Sequence, residues 1–328
     1  MTSADGFTTL IRHLRASPPH TIDVVMVLIP EGVSQMGSDR FYPEERPRHD
    51  VHVEAFRIDA HPVTNDEFAE FAADTGWVTV AERALDPTDY PGANPDLLHP
   101  GGVVFTPPPG PVPLDDPSRW WSYVPGASWR HPLGPTSDLA GKGDHPVVQV
   151  AFDDAAAFAE WRGVRLPTEA EWEHAARGGL LGAEYTWGDD PYPEDRHMAN
   201  TFQGAFPWED LALDGFAGTS PVGSFRVNGY GLYDMAGNVW EWTTDWWGEH
   251  RPISPACCGG AGVAPERAGP QAEAASVAPG ERYGRRVIKG GSHLCAPSYC
   301  HRFRPAARQP ESVDTSTCHL GFRCASHT

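Results

Sequence analysis

The densest run of reactive side chains is Gly290-Gly291-Ser292-His293-Leu294-Cys295-Ala296-Pro297-Ser298-Tyr299-Cys300-His301-Arg302. Cys295 and Cys300 stand five residues apart with Pro297 between them, a spacing at which a proline turn can bring two sulfurs together. Such a pair can close a small disulfide, exchange thiols or hold a soft metal. Zinc is disfavoured, because structural zinc sites usually need two close pairs, although His293, His301 and His319 could complete one. Two thiolates alone suit a low-coordinate monovalent ion such as Cu(I). Arg302, Arg304 and Arg308 would favour the thiolate by their charge. The competing reading is two free cysteines packed in a turn.

All six cysteines (Cys257, Cys258, Cys295, Cys300, Cys318, Cys324) lie in the last quarter of the 328 residues, so no disulfide can tie down the N-terminal half. The first twenty residues lack the basic, apolar, small pattern of a secretory signal. A cytoplasmic protein is expected, in which clustered thiols point to chemistry or metal more than to scaffolding.

The elements that must position the pair are short. With 34 Gly and 33 Pro, a fifth of the chain interrupts regular structure, against roughly 12% in average usage. Helical bundles and repeats are thereby excluded. A 40% hydrophobic content with 12 Trp excludes general disorder. The net charge of −19 argues against nucleic acid or an anionic membrane as partner and leaves room for a cationic one. Thr64 with Glu67, and Thr168 with Glu171, form capping boxes that open helices closed by Gly76 and by Gly178-Gly179. Asp153 and Asp154 open a third, running to Trp161 and closed by Gly163. Apolar runs at 24–29, 147–150 and 287–289 read as strands. Residues 1–22 read as a tail, 85–118 as an excursion, and 258–284, with almost no large apolar side chain, as a flexible surface loop. The expected class is α+β, one irregular domain over 23–328 with little regular structure.

Four segments carry a family resemblance: Arg165-Leu166-Pro167-Thr168-Glu169-Ala170-Glu171-Trp172-Glu173, then Asn228-Gly229-Tyr230-Gly231-Leu232-Tyr233-Asp234-Met235-Ala236-Gly237-Asn238-Val239-Trp240-Glu241-Trp242, then Lys289-Gly290-Gly291-Ser292 and Gly321-Phe322-Arg323-Cys324. They resemble the formylglycine-generating enzymes over about residues 24 to 325. The first two motifs are shared across the sulfatase-modifying-factor superfamily, whose fold is related to C-type lectins. The Cys295 and Cys300 pair is the specific part, separating the catalytic branch from paralogues without these thiols. The resemblance implies oxidation of the cysteine in a Cys-x-Pro-x-Arg motif of an unfolded sulfatase to Cα-formylglycine, with O2 as co-substrate and an external thiol reductant. It implies Cu(I) on Cys295 and Cys300, with Ser292, Tyr299 and Trp240 around the place where oxygen binds. It further implies two structural Ca2+ sites, one at Asn200, Thr201, Asp214 and Phe216, the other at Asp234, Met235, Gly237 and Val239; the apolar members would serve through main-chain carbonyls.

Departures from the family pattern are instructive. Ala159, Ala176 and Pro305 replace cysteines of secreted members, which leaves Cys324 without a partner and fits a monomeric, cytoplasmic bacterial enzyme. Residues 30–38 lack the usual Gly-Gly-aromatic pattern, and Ala151-Phe152 replaces Ser-Trp, with altered packing as the expected effect. Asp39, Glu44, Glu45 and Glu82 are the acidic candidates for the substrate arginine. From a different class, the alternative is a non-catalytic, calcium-stabilised lectin-like binding module. An iron-dependent sulfoxide synthase of the ergothioneine type fits less well, since its helical domain with histidine ligands does not precede the match.

Overall fold

The computed structural model describes residues 25–88, 90–92, 94, 98–250 and 267–328. The expected tail at 1–22, Cys257, Cys258 and the first part of the expected loop, 258–266, lie outside the described residues. Among the described residues no helix is long and apolar enough to cross a membrane.

The helix starts follow from local chemistry. Thr64 Oγ1 accepts the N–H of Glu67 at 3.3 Å while Glu67 Oε2 accepts that of Thr64 at 2.7 Å, opening the helix Asn65–Thr75. Thr168 and Glu171 do the same at 3.1 and 2.8 Å for Glu169–Arg177. Gly76 and Gly178 close these helices with φ of 67° and 57°, the left-handed conformation that glycine adopts without a Cβ penalty. Phe152–Arg162 starts differently, because Ala151 at its cap offers no side-chain acceptor. Asp154 compensates: its buried carboxylate accepts from Ala151 N at 2.9 Å, Val80 N at 3.1 Å and Trp77 Nε1 at 3.0 Å. Burial pushes its pKa up to about 6, against these hydrogen bonds.

A four-stranded sheet runs in the order Arg308–Ser312, Arg285–Lys289, Trp240–Trp246, Leu320–Gly321. Its pairs are antiparallel except the last. A second sheet of Met26–Ile29, Phe56–Asp59 and Ala325–His327 joins the two ends of the described chain. The rest are hairpins and irregular segments, so the α+β single domain stands.

Three expectations need correction. Residues 147–150 are buried but form no strand, because Gln149 turns at φ 58° and its N–H bonds the Thr317 carbonyl instead of a ladder. Residues 85–118 are not merely an excursion, since Gly101–Phe105 pairs with Trp121–Pro125 and Val103 N donates to Ser316 O. Within 258–284, residues Gly269–Ser276 form a helix whose buried Ser276 hydroxyl accepts from Arg285 N at 2.9 Å.

The core carries ion pairs beside its aromatics. Glu241 is fully buried and accepts from Trp172 Nε1, Arg323 Nε and Arg323 Nη2, each at 2.7 Å. Glu173 meets Lys289 Nζ at 2.9 Å and Arg177 Nη2 at 2.7 Å, and Glu169 meets Arg308 Nε at 2.7 Å. Removing one member leaves a buried charge uncompensated, which typically costs about 3–5 kcal/mol. Glu241→Ala is therefore expected to lower the unfolding free energy by about that amount, measured by chemical denaturation; a loss below about 1 kcal/mol would show that Arg323 re-pairs without strain.

Candidate active site

The Arg285–Lys289 strand delivers the chain to Gly290 and Gly291, with φ of 95° and 70°. A Cβ on Gly291 would meet the Phe303 backbone nitrogen at 2.9 Å, so the chain can pass there only without a side chain. Beyond the glycines the backbone folds on itself. Cys295 N donates to Ser292 O at 2.9 Å, Tyr299 N to Ala296 O at 3.0 Å and Cys300 N to Ala296 O at 2.7 Å. The turn leaves Pro297 and Ser298 exposed and brings the Cys295 and Cys300 sulfurs to 3.2 Å, as the spacing implied. Both are free thiols, their separation well beyond the roughly 2.05 Å of a disulfide bond.

The two thiols are electrostatically unequal. Burial, then the hydrogen bond to Cys300, pushes the Cys295 thiol well up. Cys300 is shifted down, first by accepting that hydrogen bond, with Arg302 Nη1 at 3.8 Å adding positive charge against the effect of burial. These shifts favour Cys300 as the thiolate and Cys295 as the protonated partner.

The other expected residues surround the pair to different degrees. Ser292 is fully buried, its N–H aimed at Cys295 Sγ at 3.4 Å and its Oγ accepting from Leu294 N at 3.2 Å. Tyr299 stacks on Phe206 with ring centroids 4.4 Å apart. Burial and the neighbouring Cys300 charge raise its pKa, which keeps the hydroxyl a donor. Trp240 packs in the same buried cluster as Cys295, and its backbone N–H donates to His319 O at 2.9 Å.

The histidines do not assemble a zinc site. His293 Nδ1 donates to Asn238 O at 2.8 Å, His319 Nδ1 lies 2.6 Å from Thr317 Oγ1, and His301 Nε2 lies 2.9 Å from Tyr185 Oη. Burial lowers His293 to about 4 and His319 to about 3. Among the described residues no three His, Cys, Asp or Glu side chains gather as a metal cluster. The soft donor set is thus the sulfur pair, whose chemistry fits a monovalent copper ion.

The charged neighbours depart from expectation. Only Arg302 reaches the pair, because Arg304 is held by Glu45 at 2.5 and 3.1 Å and Arg308 by Glu169. The acidic candidates are likewise engaged within the chain: Glu44 with Arg302 at 2.7 Å, Glu45 with Arg304, Glu82 with Arg130 at 2.7 Å, and Asp39 with Arg48 N at 3.2 Å. Sequence reasoning missed Tyr42, whose hydroxyl accepts from His301 N at 3.0 Å and whose ring lies 3.9 Å from the Arg302 guanidinium carbon. No local pattern marks it. Cys318 is buried, with Phe105 N 3.3 Å from its sulfur and its pKa pushed up to about 11 by burial, which supports packing.

In the first expected calcium set Thr201 and Phe216 meet at Asp214, while the second lies along the short segment 234–239. The Asp214 carboxylate accepts from Thr201 N and Phe216 N at 3.0 Å each, and the Gln203 amide nitrogen lies 2.6 Å from Asp214 Oδ2. Asn200 Oδ1 is buried without a partner among the described residues. Asp234 is buried, accepts from Gly223 N at 2.8 Å, and has its pKa raised by desolvation. Met235 and Val239 are buried in the core, which leaves their carbonyls as the available donors. A Cβ on Gly237 would lie 2.1 Å from Asn200 O, so the two sets abut. An orphaned amide oxygen and a buried carboxylate beside main-chain carbonyls fit a hard cation.

The domain model for the sulfatase-modifying factor enzyme 1-like domain matches residues 15–328. The chain belongs to that family. Within it, the chain is 55% identical over 304 residues to a formylglycine-generating enzyme of Mycobacterium tuberculosis, covering 92% of this chain and 97% of that one. It is also 37% identical over 317 residues to a mouse protein named inactive C-alpha-formylglycine-generating enzyme 2, covering 94% and 87%. Among solved structures, PvdO from Pseudomonas aeruginosa shares the fold, with a TM-score of 0.59 at 24% identity over 95% of this chain and 100% of that one.

The inequality of the thiols has a measurable consequence. A lowered Cys300 pKa means that its reactivity rises with pH around a midpoint below the roughly 8.5 of an ordinary thiol. Iodoacetamide labelling with peptide mapping should modify Cys300 ahead of Cys295, Cys318 and Cys324. First labelling of Cys295, or a midpoint at or above the ordinary value, contradicts the assignment.

Proposed function

We propose that the protein oxidises the cysteine of a Cys-x-Pro-x-Arg motif in an unfolded sulfatase to Cα-formylglycine, using O2 and Cu(I) held by Cys295 and Cys300. The observation that carries this reading is the pair of unlinked sulfurs 3.2 Å apart in a buried turn, within a chain that belongs to this family. Copper would supply the one-electron oxygen chemistry that side chains lack. The chain supplies the rest. In this reading Cys295 would give up its proton to become a second thiolate, and the exposed Pro297 and Ser298 would form the edge at which an extended peptide brings its thiol to the pair. Ser292 and Trp240 are buried, and burial keeps the Tyr299 hydroxyl protonated; a donor in such surroundings would stabilise reduced oxygen better than it would in water. An external thiol reductant would provide the electrons that O2 requires beyond those taken from the substrate, being oxidised to its disulfide, while the C–S bond of the substrate breaks, its sulfur leaves as sulfide and O2 is balanced by the aldehyde oxygen and water.

The paralogue named inactive makes a direct assay necessary. Purified protein incubated with Cu(I), oxygen, a thiol reductant and a Cys-x-Pro-x-Arg peptide is expected to yield the aldehyde, read by mass spectrometry. Cys295→Ser and Cys300→Ser should each abolish conversion and stoichiometric copper binding. Full copper loading without aldehyde would sink this reading, whereas the absence of stoichiometric copper binding would favour the non-catalytic, calcium-stabilised lectin-like binding module.

We also propose two Ca2+ ions, at Asn200, Thr201, Asp214 and Phe216 and at Asp234, Met235, Gly237 and Val239, with a structural role. These loops hold the cysteine segment directly: Phe202 N donates to Cys295 O at 3.1 Å, Gly237 N to Gly290 O at 2.9 Å and His293 N to Asn238 O at 2.9 Å. A ligand at a hundred times its Kd stabilises by about 2.7 kcal/mol. Adding Ca2+ to chelator-treated protein should therefore raise the unfolding midpoint, and Asp234→Ala should shrink the rise. An unchanged midpoint at millimolar Ca2+ rejects both sites.

A further inference from the structure

Arg302 follows Cys300 by two residues, and its guanidinium is fixed on three sides. Nη2 meets Glu44 Oε1 at 2.7 Å, the Tyr42 ring lies 3.9 Å from the guanidinium carbon, and Nη1 is 3.8 Å from Cys300 Sγ. Tyr42 also fixes the intervening backbone through its hydroxyl, which accepts from His301 N. The segment Phe41 to Glu45 thus clamps the chain that leaves the thiol pair. Its neighbouring contact, Arg304 on Glu45, is buried and anchors the same segment from inside. The Arg302 and Glu44 side chains are 22% and 23% exposed, so their pair lies in the wall of the site and not in bulk water.

We propose that Arg302 is a positioning residue for Cys300, held by Tyr42 and Glu44 so that its charge and one N–H fix the sulfur in its metal-binding and reactive orientation. The proposal rests on the copper reading above and deepens it. One Cu(I) with three thiolates, two from the chain and one from substrate, is a dianion, and a dianion in a water-poor pocket needs a compensating cation. A guanidinium suits the task. It is always charged, and its planar fork can give one edge to a carboxylate while another N–H faces the sulfur. Of the arginines of this segment, Arg304 pairs with Glu45 and Arg308 with Glu169, whereas Arg302 meets Glu44 through Nη2 and keeps Nη1 toward Cys300.

The test compares wild type with Arg302→Gln, Arg302→Lys and Glu44→Gln in the full chain. Two quantities are read: Cu(I) affinity by competition with a chromophoric chelator, and the rate of iodoacetamide labelling of Cys300 in the metal-free protein. Loss of a group that orients a metal ligand typically weakens metal binding by about 10–100-fold. Arg302→Gln is expected to fall in that range and to label Cys300 several-fold more slowly. Arg302→Lys restores the charge and should recover the labelling rate and most of the affinity. Glu44→Gln, which loosens the clamp but keeps the guanidinium, should fall between and serves if Arg302→Gln does not fold. If the Gln variant stays within about twofold of wild type on both measures, or if Lys falls as far as Gln, the proposal is overturned. Should wild type bind no Cu(I) while the labelling loss and its rescue by lysine persist, the copper reading fails and the positioning of Cys300 stands.

Discussion

The site hangs from a row of buried charges that crosses the central sheet. Glu241, Lys289 and Arg308 occupy facing positions on three neighbouring strands, and all three are fully buried. The helix Glu169–Arg177 supplies the missing carboxylates: Glu173 to Lys289, Glu169 to Arg308. Each charge is tolerable only while its partner is present, because an isolated ion in the interior costs several kcal/mol. The strand that carries Lys289 is therefore locked in register at its last residue. The next two residues are Gly290 and Gly291, and the reactive turn begins there. An irregular, loop-rich segment thus inherits the rigidity of the sheet without being part of it.

Much of this was legible in the sequence where the governing forces are local. Capping boxes act over three residues, and all the helix ends read from Thr64, Thr168, Gly76, Gly163 and Gly178 are where the chain places them. The thiol pair was legible for the same reason, since a five-residue turn with a proline has few ways to close. The failures are non-local. Glu44 and Arg302 are 258 residues apart, so nothing near either one shows that they meet. Glu169 and Glu173 read as ordinary helix residues around a cap, yet both face the core, where cations from distant strands neutralise them. The apolar run 147–150 reported burial correctly and geometry wrongly, because hydrophobicity fixes where a segment sits and not whether its N–H groups join a ladder.

The glycine and proline excess and the charge balance take on particular meanings. Glycines at 237 and 291 stand where one backbone passes within contact distance of another, so they permit the loops at 199–203, 235–239 and 290–303 to pack as layers. The acidic excess does not collect at the thiols; the acidic groups nearest them are engaged with arginines. Positive charge, from Arg302, is what faces the sulfur.

The inequality of the two sulfurs ties these observations together. At 3.2 Å the two sulfurs are close enough to share one proton, with the Cys295 thiol shifted up and the Cys300 thiol shifted down. Under the proposed copper reading, a soft cation held by both sulfurs would replace that proton; until then the shared proton avoids two bare thiolates 3.2 Å apart, whose mutual repulsion in a buried turn would be severe. Burial raises Cys295 and keeps the proton in place, whereas Arg302 at the half-buried edge stabilises the charge on Cys300. The depth of one thiol and the guanidinium beside the other are complementary parts of one arrangement. Exposing Cys295 or removing the cation would let the pair lose the asymmetry that keeps a single thiolate available.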